Sequence, residues 1–194
     1  MLDDSPVKQF ERWFEEASRK KPDFANAMTI ATVDLQGVPD ARIVLLKEIR
    51  DEGLVFFTNY ESTKAQQLEL SPKAACVFWW PDFERQIRVR GTVAKISAKQ
   101  SDAYFKTRPR GSQLGAWASK QSQVLQDRTE LDTAYLKLEK QFENQEVPRP
   151  ENWGGYCLKP RQFEFWQGRE NRLHDRFEYD LDLSGCWVVK RLAP

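Results

Sequence analysis

What this sequence is short of narrows its function first. One histidine and three cysteines among 194 residues leave little from which to build a transition-metal site. Cys76, Cys157 and Cys186 are odd in number, far apart and without a Cys-x-x-Cys pair, which argues against a zinc site or a disulfide framework and for buried or incidental thiols. No run of about 18 apolar residues occurs, and the opening MLDDSPVKQFERW lacks the basic-then-apolar order of a secretory leader. A cytoplasmic protein with no membrane partner is expected. Charge of one sign is also missing: 30 Lys and Arg stand against 29 Asp and Glu, a net +1, so no global field draws nucleic acid. Any anion site has to be built locally. A Walker-type glycine loop and a nucleophile dyad are absent too, as are repeats and linkers, so residues 1–194 read as one domain.

What is present is aromatic and strand-forming. Seven Trp and twelve Phe supply a large core. Ser5-Pro6 is an N-cap with proline at the first helical position, and Val7, Phe10, Trp13, Phe14 and Ala17 follow at helical spacing, predicting an N-terminal helix over about 5–20. Then come MTIATV, ARIVLLK and LVFFT, read as a meander of three antiparallel strands, the last turn being charged and ending at Gly53. A short helix over 63–70 stops at Ser71-Pro72, and AACVFWW and RQIRVRGTVAKI add two strands across Pro81-Asp82. Ser97 with Gln100 opens a helix ending near Pro109, a second helical segment starts after Ser112, and Asp127 with Glu130 opens another that turns Leu131, Ala134, Tyr135, Leu138 and Phe142 inward. WGGYCLK with RQFEFW, the Arg172 run and CWVVKRL close the chain as strands. The expectation is an α+β fold on an antiparallel barrel with flanking helices.

Chemistry-bearing residues gather in a few places. If Asn171 onward is a strand, Arg172, His174 and Arg176 share one face while Leu173 and Phe177 share the other, a cationic, titratable wall beside the broad ring of Trp166. An edge strand facing solvent is the plainer alternative. In ARIVLLK the four central apolar residues imply a strand buried on both faces and bracketed by Arg42 and Lys47, roughly 16 Å apart and of opposite parity, which fits two separate anions better than one. Gln86 offers donor and acceptor to the edge of a heterocycle. Tyr104 and Arg108 at i and i+4, followed by Ser112 after a Pro-Arg-Gly break, suit a phosphate monoester, and the polar loop from Ser119 to Ser122 suits another. Two phosphate pockets and flat aromatic surface, with no catalytic dyad, point to a borrowed cofactor.

Taken together, RIVLLK (42–47), FFTN (56–59), ERQIRVRG, YFKTRPRGSQLGAWASKQS (104–122), WGG (153–155), EFWQG with RLHDRF and the terminal RLAP resemble the pyridoxamine 5′-phosphate oxidase family, over nearly the whole chain from about Phe10. The resemblance implies a homodimeric split β-barrel with FMN at the subunit interface. It implies oxidation of pyridoxamine or pyridoxine 5′-phosphate to pyridoxal 5′-phosphate, with O2 reduced to hydrogen peroxide. By matched position, FMN is expected at Arg42, Ile43, Val44, Leu45, Leu46, Lys47, Phe57, Thr58, Lys64, Gln86, Gln121, Ser122, Trp166 and Arg176. The substrate is expected at Lys47, Tyr104, Arg108 and Ser112, with Arg172 and His174 over its ring as the catalytic pair; no metal is implied.

Three features depart from the family pattern. Thr63 stands where an arginine often precedes the phosphate-binding lysine, Phe57 replaces a tyrosine, and nothing before Asp3 resembles the family's basic N-terminal arm, so closure over the substrate is expected to be weaker or to use another segment. A flavin reductase using a nicotinamide would not need Lys47, Tyr104, Arg108 and Ser112 together. A non-catalytic carrier would not need Arg172 and His174.

Overall fold

The computed structural model describes residues 2–50 and 53–194. Helix α1 (Pro6–Lys20) begins where Ser5 Oγ accepts the Lys8 N–H at 3.4 Å, and its apolar stripe lies on the sheet. Phe10 meets Phe78 edge-on at 5.1 Å between ring centroids, and Trp13 meets Phe165 at 5.4 Å.

All strands belong to one curled antiparallel sheet, so the fold is α+β as expected. Strands β1 (Ala27–Val33), β2 (Pro39–Leu45), β3 (Glu48–Arg50), β4 (Gly53–Asn59), β5 (Lys73–Trp80), β6 (Arg85–Lys95) and β7 (Trp153–Gln167) run in the order β2-β1-β5-β6-β7-β4-β3. Strands β8 (Asp175–Leu181) and β9 (Trp187–Leu192) form a hairpin on β7. The long β7 is what splits the barrel. It pairs with β6 along its length, while its first half pairs with β4 (Leu158↔Leu54 to Trp153↔Asn59) and its second half with β8 (Gln162↔Asp180 to Gln167↔Asp175). The β6 bend falls at a bulge between Arg90 and Gly91, where a Cβ on Gly91 would lie 1.9 Å from the Lys159 carbonyl oxygen.

The expected three-strand meander is not formed. β1 and β2 pair from Ala27↔Leu45 to Val33↔Pro39, but LVFFT belongs to β4, whose partners are β7 and the short β3. The Lys47 N–H donates to the Val55 carbonyl at 2.8 Å, drawing the two ends of the sheet together. The charged turn read at 51–52 lies outside the described residues. Nor is ARIVLLK buried on both faces: β2 is an edge strand, and Ile43 and Leu45 are 69% and 41% exposed. With a neighbouring strand on one side only, β2 leaves part of its apolar run exposed.

The helices pack at one end of the curl. α2 (Thr63–Leu70) spans the residues the sequence predicts, and α3 (Ala98–Thr107) opens with the Ser97/Gln100 capping box. α4 (Arg110–Ala118) starts earlier than the expected position after Ser112, because Pro109 at φ −52° already places the chain for a helix. α5 (Arg128–Gln141) sets Tyr135 and Leu138 beside Phe142 on a second small core of Phe105, Leu114, Val147 and Trp153. Among the described residues, no helix is long and apolar enough to cross a membrane.

Candidate functional site

A cleft of about 820 Å³ opens where the end of β2, the end of β4, the start of α2 and the α3–α4 junction converge. Among the described residues lining it are four cations, Arg42, Lys47, Lys64 and Arg108, and no carboxylate. Ile43, Val44, Leu45, Phe57, Thr58, Tyr104, Ser112 and Gln121 also line it, so twelve of the sequence-predicted residues meet there. Leu46 does not, its side chain being buried in the main core. Asn59, Thr107 and Trp153 line the cleft too, although the motifs that contain them, FFTN, YFKTRPRG and WGG, suggest no role for these three residues.

One end is organised by Lys64, in the first turn of α2 and only 7% exposed. Its ammonium donates to Thr58 Oγ1 at 3.0 Å, Ser62 Oγ at 3.3 Å and Gln121 Oε1 at 3.4 Å, all neutral acceptors. Burial, and then the neighbouring Arg42 charge, lower its pKa to about 8, against a smaller opposing pull from Asp40. Arg42 is anchored by Asp40 and by Thr32 Oγ1, so it adds charge without a free geometry. Ser122, at φ 72°, accepts the Thr63 N–H at 3.3 Å and so holds the 121–122 loop against the start of α2. A desolvated ammonium whose hydrogen bonds all go to neutral acceptors is a site short of an anion.

The other end is aromatic. Phe57 stacks on Tyr104 at 3.9 Å and on Trp153 at 5.3 Å, and the Arg108 guanidinium lies 4.5 Å from the Trp153 centroid. Burial lowers the Arg108 pKa, the Tyr104 phenol opposing, and Arg108 Nη1 is buried without a hydrogen-bond partner. Tyr104 and Arg108 are not on one helical face as predicted: α3 ends at Thr107, and Arg108 is extended at ψ 145°. Pro109 forces that conformation, and both side chains still line the cleft. Ser112 sits in the first turn of α4, its N–H bonded to the Pro109 carbonyl at 2.8 Å.

The remaining candidates are elsewhere on the chain. Gln86, Trp166 and Arg176 form one row across β6, β7 and β8, directly opposite one another, and none of them lines the cleft. The expected strand from Asn171 is corrected: residues 170–172 make a 3-10 turn in which Asn171 and Arg172 take φ 56° and 60°, and β8 begins only at Asp175. Two successive left-handed residues end any strand, so Arg172, His174 and Arg176 do not share a pleated face. His174 instead tucks against Trp166 at 4.5 Å, and its Nδ1 accepts the Arg169 N–H at 3.2 Å. That leaves Nε2 to carry the proton of the neutral ring. Neither Arg172 nor His174 lines the cleft.

Comparison with known proteins agrees with this geometry. Residues 14–142 match the family model described as pyridoxamine 5′-phosphate oxidase, and residues 153–194 match one described as the pyridoxine 5′-phosphate oxidase C-terminal dimerisation region. The chain is 51% identical over 193 residues to a pyridoxine/pyridoxamine 5′-phosphate oxidase of Aliarcobacter butzleri, covering 100% of this chain and 91% of that protein. It is 52% identical to that of Synechocystis over 191 residues, 98% of this chain and 89% of the relative. Among solved structures, PhzG from Burkholderia lata, in complex with tetrahydrophenazine-1-carboxylic acid, superposes with a TM-score of 0.93 at 27% identity, covering 99% of this chain and 94% of the other. A pyridoxamine 5′-phosphate oxidase-related, FMN-binding protein from Nostoc punctiforme shares the fold at a TM-score of 0.77 and 18% identity, covering 98% of both chains.

Proposed function

Because the chain belongs to the pyridoxamine 5′-phosphate oxidase family, we propose that it is an FMN-dependent oxidase that converts pyridoxamine or pyridoxine 5′-phosphate to pyridoxal 5′-phosphate while O2 is reduced to hydrogen peroxide. The observation that carries the reading is the cleft lined by four cations and no carboxylate, with a buried lysine at one end and an unpaired arginine nitrogen at the other. Two anionic groups on flat ring systems answer that arrangement, and FMN and a phosphorylated pyridine are such a pair.

In this reading Lys64, Arg42, Thr58, Gln121 and Ser122 hold the FMN phosphate, and the backbone from Arg42 to Lys47 lies along the cofactor. Lys47, Tyr104, Arg108 and Ser112 hold the substrate phosphate, Arg108 being aimed by its seat on Trp153. When bound, FMN supplies the two-electron acceptor for the substrate C4′ carbon. The protein's share is to clamp two phosphates so that the rings meet at near-attack distance and water is excluded. Arg172 covers the exposed ring face of the substrate. His174, with Nδ1 accepting the Arg169 N–H and Nε2 carrying the proton, has an Nε2–H to donate to the substrate's amine or hydroxyl and so orients it.

Gln86, Trp166, Arg172, His174 and Arg176 lie away from their own chain's cleft, which supports a homodimer in which each cleft is completed by the second copy. The match of residues 153–194 to a dimerisation region and the exposed Ile43, Leu45, Val188 and Val189 support the same reading. That residues 1–194 act as one unit is supported by the single continuous sheet, and a cytoplasmic location by Cys76 and Cys186, which form no disulfide.

The test is an anaerobic titration of the flavin-loaded protein with pyridoxamine 5′-phosphate, followed by air. Bleaching of the visible flavin band, its recovery in air and formation of pyridoxal phosphate are expected. Flavin that stays oxidised would refute the oxidase; reduction by a nicotinamide in the same cuvette would then identify a reductase, and no reduction a carrier.

A further inference from the structure

Glu164 is 5% exposed, yet it stands on β7 between two arginines of neighbouring strands. Arg88 of β6 donates through Nη1 to Oε2 at 2.7 Å, and Arg176 of β8 places Nε and Nη2 each 2.9 Å from Oε1. The other side of the Arg176 guanidinium is tied by Nη1 to the Ala193 carbonyl at 2.9 Å. The plane of Arg176 is therefore fixed from two directions. Arg176 is also the last member of the row Gln86↔Trp166↔Arg176, and Arg88 and Glu164, two residues along β6 and β7, form the next row on the same face, so the clamp sits directly beside residues proposed above to face the flavin.

The three groups of the clamp together carry one positive charge, and Glu178 of β8, directly opposite Glu164, lies on the same face. Removing the Glu164 carboxylate makes that face more positive by one charge. We infer that Glu164 is a positioning residue of the flavin site, which fixes the aim of Arg176 and sets the net charge beside the cofactor. This rests on the FMN reading and goes beyond it in giving Glu164 an electrostatic task as well as a structural one. Flavin gains negative charge on reduction, so removing the Glu164 charge stabilises the reduced form more than the oxidised one. A merely structural ion pair between strands has no such consequence.

The experiment measures FMN affinity, by fluorescence on adding FMN to apoprotein, and the midpoint potential of bound FMN in wild type, Glu164→Gln, Glu164→Asp and Arg88→Gln/Glu164→Gln. Glu164→Gln is expected to bind FMN about tenfold or more weakly, as loss of a charge-assisted contact does, and to shift the potential to more positive values. The double variant is expected to bring the potential back toward wild type, since it removes the extra positive charge. Glu164→Asp keeps the charge but shortens the reach, so affinity falls while the potential stays close to wild type. Unchanged affinity and potential in Glu164→Gln, with or without a lower melting temperature, would overturn the inference. If that variant does not fold, unchanged FMN affinity in Glu164→Asp overturns it equally. Failure of the FMN reading itself is seen separately, as wild-type apoprotein that takes up no FMN.

Discussion

The Arg108 guanidinium rests 4.5 Å from the centroid of Trp153, and its Nη1 is buried with no hydrogen-bond partner. An aromatic face holds a guanidinium in place but leaves its in-plane donors open, and burial makes an open donor costly. The arrangement is preorganised for an anion arriving in the plane of the guanidinium, beside Tyr104 and Ser112 of the same cleft.

Replacing Arg108 by Met should therefore separate binding from chemistry. We expect KM for the phosphorylated substrate to rise by roughly thirtyfold, the worth of about 2 kcal/mol for a charge-assisted contact, with kcat little changed. Because the replacement removes a half-buried guanidinium whose Nη1 has no partner while an apolar side chain still covers Trp153, the melting temperature of the apoprotein should not fall. Steady-state kinetics at varied substrate decide this, and an unchanged KM would reject the assignment.

Lys64 gives the cleft a pH dependence. Its pKa in the folded protein is about 8, below the ordinary 10.5, so between those values the unfolded chain keeps a proton that the folded chain has lost. Its destabilising contribution is thus fully present below about pH 8 and is relieved as pH rises to about 10.5. Denaturant unfolding should show wild-type apoprotein gaining stability relative to Lys64→Gln across that window. FMN affinity should run the opposite way. The phosphate needs the charged ammonium, so binding should weaken above about pH 8 in wild type and lose that dependence in Lys64→Gln.

Local signals carried much of this fold in the sequence. Ser5-Pro6, the Ser97/Gln100 box and Asp127 each mark a helix start that the structure contains, and Ser71-Pro72 marks the end of α2. What misled was information held by partners rather than by neighbours. The string Ile43-Val44-Leu45-Leu46 looks buried on both faces because apolarity does not say whether its cover comes from the same chain. LVFFT reads as a neighbour of the nearest strand, whereas its partner β7 lies about a hundred residues further on. The Arg172 run alternates like a strand, and neither Gly nor Pro announces the left-handed Asn171 and Arg172 that break it. For the site, matched motifs identified most cleft residues, whereas the Arg108 seat on Trp153 and the Glu164 clamp depend on contacts between strands and helices that no local pattern encodes.

The same turn allows a controlled test of Arg172. At φ 60° an alanine inherits backbone strain that a glycine does not, worth about 1 kcal/mol. Arg172→Gly should therefore melt at a higher temperature than Arg172→Ala, while both lose turnover at saturating substrate to the same degree and both retain FMN. Equal loss in two variants of different stability would assign the defect to the missing guanidinium. Full activity in either would reject a catalytic role.

Ile43 tests the assembly. It is 69% exposed on edge strand β2, yet its strand borders the cleft, so the side chain that would bind a second copy and the residues that would hold FMN are carried on one short element. An aspartate there leaves the β2–β1 hydrogen bonds intact, because it faces outward, but puts an unpaired charge into the proposed subunit contact. Sedimentation should show Ile43→Asp shifted from dimer toward monomer with its far-ultraviolet circular dichroism unchanged. Because Ile43 also lines the cleft, Val189→Asp on β9, outside it, is the control: in both variants flavin loss should track the monomer fraction, since Gln86, Trp166 and Arg176 would then be withdrawn together. A dimeric Ile43→Asp protein with normal flavin content would place the subunit contact elsewhere on the sheet.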